Sequence, residues 1–357
     1  MKATFNILFF VVSLLCSSIL VFAQCPNENV QAIAGAPAGQ YKPAAITNDD
    51  GSVIFTWVRC DNTDGCKIYA QKFSANGNAM WLNKGIIIAD VDLVYEQAHP
   101  SMVSDGAGGA IIAWRDYRNG GGYSDIYSQR VDSNGIVQWG QGILTLNKAI
   151  NNSRISMVSD GAGGVIVVEN VCSSQCDNIY AQKINLTGEL LWDSAGVKIC
   201  DTIYSQWRQQ IVSDGEGGAI IVWQDDRNGN NYDIYAQRVD VNGNALWQNN
   251  GIVVSSVPQW QSEPNMVSDG SGGAIIVWQD NRNGNSDIYA QRVDASGLTL
   301  WQSDGVPVCT ANGVQGGMNQ IKILPDNFGG AIINWWDFRS GDPDIYTQRI
   351  NTSGLIL

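Results

Sequence analysis

Five aspartates recur at the end of one short strand in successive copies of a repeat. Carboxylates are the side chains that hard cations prefer, and a ring of them around the mouth of a channel would hold calcium. In the other interpretation, which the sequence favours, each Asp caps its own glycine-rich turn through backbone amides. No cofactor is predicted unless the calcium interpretation holds. The five residues are Asp105, Asp160, Asp214, Asp269 and Asp326.

Catalytic chemistry has little support in the residue types. His99 is the only histidine, so a repeated Ser-His-Asp or histidine–metal arrangement cannot be built. Two carboxylates can hydrolyse a glycosidic bond without histidine, but nothing in the sequence singles out two of them. We therefore predict no catalytic residue. The alternative is a carbohydrate-active hydrolase or lyase that uses acidic residues near a central channel.

Aromatic side chains that fall outside the repeat are the candidates for binding. An exposed aromatic ring beside amide and carboxylate groups suits stacking on a sugar ring or anchoring a protein partner. Polar residues near them in the sequence are Glu96, His99, Arg208 and Glu263. The predicted binding residues are Tyr95, Tyr123, Trp207, Tyr232, Trp260 and Trp336.

A repeat that fills most of the chain must position these residues. The dipeptide Ile-Tyr marks six copies, and each copy predicts four short strands. In the fifth copy the second strand, residues 274–278, is continuously apolar and should be covered on both faces. The third and fourth strands of this copy are predicted at residues 287–293 and 299–308. Asp-Gly-x-Gly-Gly predicts a tight turn before it, because glycine accepts a positive φ. The marker tyrosines are Tyr69, Tyr127, Tyr180, Tyr235, Tyr289 and Tyr346.

Four antiparallel strands repeated radially predict an all-β, six-bladed β-propeller. The repeats span about 43–99, 100–154, 155–209, 210–263, 264–319 and 320–357. The sixth copy stops before its expected tryptophan, and residues 28–35 have the spacing of a missing outer strand. We predict that this N-terminal strand closes the last blade. The alternative is that the chain is a piece of a longer array.

The two faces of such a propeller differ in their predicted roles. The first and third turns of each blade share one face, and here they are tight and repeated. The second loop and the connection between blades share the other face, where length and composition vary. Function is expected where the period breaks, so the variable face is the predicted binding face.

Periodic residues are predicted to be framework. Ten of the tryptophans recur at two positions of the repeat and should pack blade against blade. Four copies carry Trp-x-Asp-x-Arg after the second strand, and the copy at Trp335 is interpreted in a shifted register. We expect the Asp and Arg of this motif to clamp the loop.

Paired cysteines replace the motif in the other two copies. An exported protein can keep disulfides, and zinc is disfavoured because no histidine lies near. The predicted disulfides are Cys60–Cys66 and Cys172–Cys176. Three further cysteines, Cys25, Cys200 and Cys309, leave an odd count, and outer strands of neighbouring blades would allow Cys25 to pair with Cys309.

The start of the chain indicates export. Lys2 precedes an apolar run over residues 7–22 that ends in Val21-Phe22-Ala23, which predicts a signal peptide, residues 1–23, rather than a membrane anchor. The predicted mature protein, residues 24–357, is one propeller domain, secreted or at the cell surface. A net charge of −13 argues against nucleic acid and against an anionic membrane surface. A monomer is expected.

The frame SDGxGG…WxDxR…DIYAQRVDxxGxxxW resembles repeats of secreted and cell-surface bacterial β-propeller proteins, mostly of unassigned function. The resemblance covers residues 43–357 and implies the fold without implying an activity. A more distant likeness to sialidase-type and other carbohydrate-active propellers rests on fold alone. The sequence therefore predicts a secreted, non-catalytic binding module whose partner is a glycan or an extracellular protein.

Overall fold

The computed structural model describes residues 39–61, 65–82, 84–91, 96–120, 124–147, 155–173, 176–229, 231–318 and 320–357, with backbone only at 171–173, 176 and 177. The predicted signal peptide, residues 1–23, and the predicted closing strand, residues 28–35, lie outside these ranges. Within the described ranges there is no helix with the length and apolar character needed to cross a membrane.

The described chain forms six successive antiparallel sheets, five of four strands and one of three, with strands paired in chain order. Sheet 1 contains β1 (Gly39–Thr47), β2 (Val53–Asp61), β3 (Gly65–Phe73) and β4 (Ile86–Ile87). Sheet 2 contains β5 (Gln97–Ser104), β6 (Ala110–Asp116), β7 (Asp125–Val131) and β8 (Ile143–Leu146). Sheet 3 contains β9 (Ser156–Ser159), β10 (Val165–Ser173), β11 (Cys176–Ile184) and β12 (Val197–Cys200).

The last three sheets repeat this order. Sheet 4 contains β13 (Gln206–Ser213), β14 (Ala219–Asp225), β15 (Asp233–Val239) and β16 (Ile252–Ser255). Sheet 5 contains β17 (Gln261–Ser268), β18 (Ala274–Asp280), β19 (Asp287–Val293) and β20 (Val306–Cys309). Sheet 6 contains β21 (Lys322–Pro325), β22 (Ala331–Asp337) and β23 (Asp344–Ile350). The predicted all-β class, built from four-stranded antiparallel sheets, is confirmed.

The first strands of the sheets lie side by side. β1 contacts β5, β5 contacts β9, and the series continues through β13 and β17 to β21. Five apolar clusters join each sheet to the next one. The second strands β6, β14 and β18 are buried along almost their whole length, because each lies between two neighbouring sheets. β2 and β22, in the first and last described sheets, are only partly buried. The core is therefore a series of contacts between sheets.

The periodic tryptophans form these contacts, as predicted. Those of the second strands are at most 3 % exposed, and those that follow the third strands are at most 9 % exposed. In sheet 4 the Trp247 indole donates a hydrogen bond to the carbonyl of Ala295 in the next sheet at 3.0 Å. The same bond recurs at Trp81, Trp139, Trp192 and Trp301.

The Trp-x-Asp-x-Arg motif forms a clamp. In sheet 4 the Trp223 indole donates to Asp225 at 2.7 Å, and Arg227 donates to the same carboxylate at 2.6 Å. The Arg227 guanidinium lies 3.6 Å from the ring centre of Tyr235. The copy at Trp335 makes the same bonds to Asp337, so the interpretation of a shifted register was wrong. The motif holds the loop after the second strand.

One of the two predicted disulfides lies within the described side chains. Cys60 and Cys66 are bonded across the pair β2–β3, at the place where other sheets carry the clamp. The side chains of Cys172 and Cys176 lie outside the described residues, so that disulfide stays a prediction. Cys25 lies outside them as well. Cys309 accepts a hydrogen bond from Arg339 at 3.0 Å, and Cys200 accepts one from Arg227 at 3.4 Å.

Two details of the predicted strands differ from the structure. The first strands of sheets 2, 4 and 5 begin at Gln97, Gln206 and Gln261, before the expected boundaries at 100, 210 and 264. A bulge interrupts side-chain alternation there, which hides the start of the strand from a pattern search. The fourth strand of sheet 5 is shorter than the predicted span 299–308, because Gly305 adopts a φ of 89° just before Val306.

Candidate functional site

Four first strands contain a bulge that is occupied by a residue in the left-handed conformation. The pairing register shifts between residues 41 and 44, 98 and 101, 207 and 210, and 262 and 265. At these bulges Lys42, His99, Arg208 and Glu263 have φ values of 56°, 53°, 59° and 53°. An L-residue in this region costs about 1–2 kcal/mol relative to the right-handed conformation, which glycine would avoid.

The bulge residues share one position of the repeat, six residues before the turn Asp or its counterpart Asn48. The framework around this position repeats, whereas the bulge side chain changes in size and charge from sheet to sheet. The third copy has Arg154 there, which lies outside the described residues, and the sixth has Gln320. Strained backbone that carries long, varied side chains is typical of functional sites.

A cavity of about 460 Å³ opens between β1, β5, β9 and β13 beside two of these residues. This volume is within the range of about 300–1,000 Å³ that small-molecule sites occupy. None of its described lining residues is acidic. The polar lining residues are Lys42, His99, Ser101, Ser156 and Gln210. The apolar lining residues are Pro43, Pro100, Ile155, Met157 and Ile211.

Arg208 and Glu263 form an ion pair between sheets 4 and 5. Arg208 Nε lies 3.1 Å from Glu263 Oε1, and Arg208 Nη2 lies 3.3 Å from the sulfur of Met318, just before sheet 6. The Glu263 amide donates to the Gln224 side chain at 3.1 Å. These two charges therefore offset each other, whereas Lys42 and His99 line the cavity between β1, β5, β9 and β13.

Exposed aromatic rings lie on the same face of the sheets. We call this surface the loop face; it comprises the loops between second and third strands and the connections between sheets. Trp260 and Tyr204 belong to connections and are 55 % and 49 % exposed, and Trp207 in β13 is 44 % exposed. The Tyr232 ring contacts the Trp260 ring edge to face, with centroids 6.0 Å apart. Burial raises the pKa of Tyr232, and the nearby Asp226 raises it further.

Two of the predicted binding residues are not loop residues. Trp207 lies within β13, paired with Gln224, directly before the bulge. Trp336 lies within β22, paired with Ile345, and is 39 % exposed. It follows the buried Trp335 in the same strand, so the two indoles lie on opposite faces of sheet 6. Tyr95 and Tyr123 lie outside the described residues.

The turn aspartates use their carboxylates within their own turns. Asp269 accepts from the backbone amides of Ser271 at 2.8 Å and Gly273 at 2.9 Å, and from Arg292 at 2.8 Å. The same arrangement recurs at Asp105, Asp160, Asp214 and Asp326. Among the described residues no three His, Cys, Asp or Glu side chains come together as a metal site. This geometry supports turn capping and gives no support to a calcium ring.

One interface between sheets has a carboxyl group in place of the framework tryptophan. Glu169 occupies the Trp position of β10, and its carboxylate lies 3.6 Å from Arg115 Nη2 of sheet 2. Both side chains are at most 1 % exposed. Burial raises the pKa of Glu169 to about 8, although Arg115 acts in the opposite direction. Leu146 lies against Gly196, where the equivalent Gly251 meets the Trp223 ring, so Leu146 fills the space of the missing indole.

Sequence reasoning missed Lys42, Tyr204, Arg115 and Glu169. Superposing the copies on the turn Asp would have shown that Lys42, His99, Arg208 and Glu263 occupy one position. The same superposition places Glu169 in the column of the second-strand tryptophans. No sequence signal shows that the bulge residues adopt a positive φ, because none of them is glycine or asparagine.

Comparisons with known proteins identify no family. No protein-family model matches the sequence, and no curated protein sequence matches it. The fold is similar to the crystal structure of a protein of unknown function from Dyadobacter fermentans, with 11 % identity, 87 % and 94 % of the two chains covered, and a TM-score of 0.49.

Two further similar structures are those of a sialidase and a lectin. The Hadza microbial sialidase Hz136 is 13 % identical over 84 % of this chain and 63 % of its own, with a TM-score of 0.47. The fucose-specific lectin from Aleuria aurantia is 13 % identical over 88 % of this chain and 93 % of its own, with a TM-score of 0.41. At TM-scores below 0.5 these likenesses assign no function to the chain.

Proposed function

We propose that this protein is a secreted, non-catalytic binding module whose loop face holds a glycan. The observation that carries the proposal is the exposure of Trp207 and Trp260, 44 % and 55 %, on the face where the repeat varies. The framework tryptophans of the same chain are buried, which shows that the fold can cover an indole. Aromatic faces stack on sugar rings and leave the sugar hydroxyls to nearby polar groups.

A second requirement of glycan binding is a set of hydrogen-bonding groups that a sugar can reach. Ser101, Ser156 and Gln210 line the cavity between the first strands. Hydroxyl and amide groups both donate and accept hydrogen bonds, as sugar hydroxyls require. The hydrolase alternative needs two carboxylates across a ligand site. None of the described lining residues provides one, so binding is the better-supported function.

The test is binding of residues 24–357 to a broad glycan array, with and without calcium. We expect saturable binding that weakens about tenfold in Trp207→Ala and in Trp260→Ala, since one stacked ring contributes about 1–1.5 kcal/mol. Phe328→Ala is the matched control, because Phe328 is an aromatic residue 78 % exposed in the turn before β22. Absence of glycan binding in both conditions would reject the proposal in favour of a protein partner. Turnover of a bound polysaccharide would establish the enzyme alternative.

We also propose that the six sheets close into a propeller ring. The second residue of the third strand is fully buried at Ile126, Ile234 and Ile288, but the equivalent Ile345 is 65 % exposed. In sheets 2, 4 and 5 the fourth strand covers that position, and sheet 6 has no fourth strand among the described residues. A fourth strand on β23, with residues 28–35 as its predicted source, would bury Ile345.

Hydrogen exchange tests this closure. In a closed ring the amides of β23 should exchange as slowly as those of β19, whose outer edge pairs with β20. Rapid exchange along the outer edge of β23 would show that sheet 6 has three strands and would reject the closed ring.

The location is part of the proposal. The Cys60–Cys66 disulfide fits an oxidising compartment, and the predicted signal peptide would deliver the chain there. Expression of residues 1–357 in a bacterium, followed by N-terminal sequencing of the exported protein, should find Gln24 first. An uncleaved chain retained inside the cell would contradict export. Membership in the bacterial propeller-repeat family and the monomeric state stay predictions.

A further inference from the structure

We propose that the cavity between β1, β5, β9 and β13 selects acidic sugars, with Lys42 and His99 holding the sugar carboxylate. The inference rests on the proposed glycan-binding function and names the chemical class of its ligand. It commits to a uronic or sialic acid residue of a glycan rather than to a neutral sugar.

The charge of the cavity differs from the charge of the chain. The protein carries a net charge of −13, yet the described residues that line the cavity include a lysine and a histidine and no carboxylate. Two carboxylates of the loop face have partners of their own: Glu263 pairs with Arg208, and Glu96 accepts a hydrogen bond from Tyr41 at 3.1 Å. A partly enclosed cavity strengthens the attraction between its charges and an anion.

The backbone conformation limits the directions that these two side chains can take. Lys42 and His99 have φ values of 56° and 53°, and each is followed by a proline, Pro43 and Pro100, which lines the same cavity. Proline fixes its own φ and restricts the residue before it, so the direction of each side chain is limited. Glycine would relieve the strain but could not present a donor to the cavity.

The remaining lining fits a sugar ring rather than a bare anion. Ser101, Ser156 and Gln210 offer hydroxyl and amide groups, and Met157 and Ile211 offer apolar surface. A sugar acid presents one carboxylate, several hydroxyls and apolar ring faces, and therefore uses all three kinds of lining. Inorganic phosphate would use only the charged part.

Calorimetry on residues 24–357 tests the inference. The probes are trimers of galacturonate, guluronate and glucuronate, and sialyllactose, each compared with a neutral oligosaccharide of equal length. We expect at least one acidic probe to bind about tenfold more tightly than its neutral counterpart, which is the effect of one hydrogen bond to a charged group. Lys42→Met and His99→Gln should each weaken binding of that acidic probe about tenfold and so remove the preference.

Lys84→Met is the matched control, because Lys84 is an exposed lysine that also has a positive φ, 87°, and does not line the cavity. Lys42→Arg keeps the charge and should keep the preference, and thermal melts of all variants check folding.

Equal affinity for acidic and neutral sugars, or an acidic preference that survives both cavity variants, would overturn the inference. Inorganic phosphate that competes with the acidic trimer at the trimer's own affinity would overturn the sugar assignment. Binding of neutral glycans alone would reject this inference and leave the proposed function standing, whereas no glycan binding rejects both.

Discussion

The two faces of the sheets place different residues where the backbone becomes left-handed. In the turns equivalent to residues 269–273 and 294–297 of sheet 5, the described residues with positive φ are glycines, apart from Asn327. The short turns just before the fourth strands also have positive φ at Lys84, Asn250 and Asp304. On the loop face the left-handed residues include Lys42, His99, Arg208 and Glu263. Asparagine tolerates this conformation better than most residues, whereas long side chains gain nothing from it.

This difference separates framework from function in physical terms. A turn that only reverses the chain uses glycine, because glycine adopts positive φ without strain. A site that must present a side chain at the same φ accepts the strain. The loop-face bulges therefore fit a binding role, and the tight turns fit a purely structural role. Four measurements test the roles of these residues.

The largest effect is expected from Gly273→Ala in a tight turn. The added Cβ would lie 2.2 Å from the backbone carbonyl oxygen of Val293, and a backbone atom in a paired strand cannot move away. We expect the free energy of unfolding to fall by about 4 kcal/mol or more. Gly270→Ala in the same turn meets no atom within 4 Å and has a φ of 76°, so urea denaturation should show a loss of only about 1–2 kcal/mol. Equal losses in the two variants would contradict the steric argument.

The next effect concerns the interior, where sheets 2 and 3 depart from the framework. Glu169→Met leaves the Arg115 guanidinium buried without this carboxylate, and we expect a loss of about 3 kcal/mol at pH 8.5. The double variant Arg115→Met with Glu169→Met removes both buried charges at similar volume. Its free energy of unfolding, measured by urea denaturation, should lie within about 1 kcal/mol of the wild-type value or exceed it. Additive losses would show that the two residues do not interact.

A pH dependence follows from the same pair. Burial raises the pKa of Glu169 to about 8 from the ordinary value of 4.5, so the folded state holds a proton that the unfolded state has released. This contribution to stability is complete below pH 4.5 and is lost as the pH rises through about 8. Relative to Glu169→Gln, the wild type should lose at most about 1.4 kcal/mol per pH unit in that window. If the melting temperatures of the two proteins change in parallel from pH 5 to 8, the raised pKa of Glu169 is contradicted.

The smallest change in stability is expected on the loop face. Lys42→Gly and His99→Gly remove the strain of a left-handed L-residue from the folded state. They also increase the conformational entropy of the unfolded chain, and the two effects on stability nearly cancel. Both variants should unfold within about 1 kcal/mol of the wild type while losing the preference for acidic sugars. A loss above about 2 kcal/mol, which is typical of a framework residue, would place the bulge among the structural features and remove the distinction between the two faces.

Much of the fold was predictable because the repeat samples each position several times. The third strand of sheet 5, Asp287–Val293, matches its predicted bounds, and the burial of β14 on both faces follows from its continuous apolar run. The candidate site was less predictable. Arg208 and Glu263 were named as polar neighbours of the aromatic residues, but Lys42 was overlooked because it precedes the expected first boundary.

The sheets, their order and the residues that pack between them can be read from the amino-acid sequence, since they depend on local alternation, turn glycines and a repeated apolar pattern. Which side chains share a cavity depends on how the strands pack in three dimensions. The first strands of sheets 1 to 4 bring Lys42, His99 and Gln210 to one cavity, although they come from distant parts of the chain. A bulge that changes the direction of a side chain leaves no periodic signal, so its consequence is visible only once the strands are placed side by side.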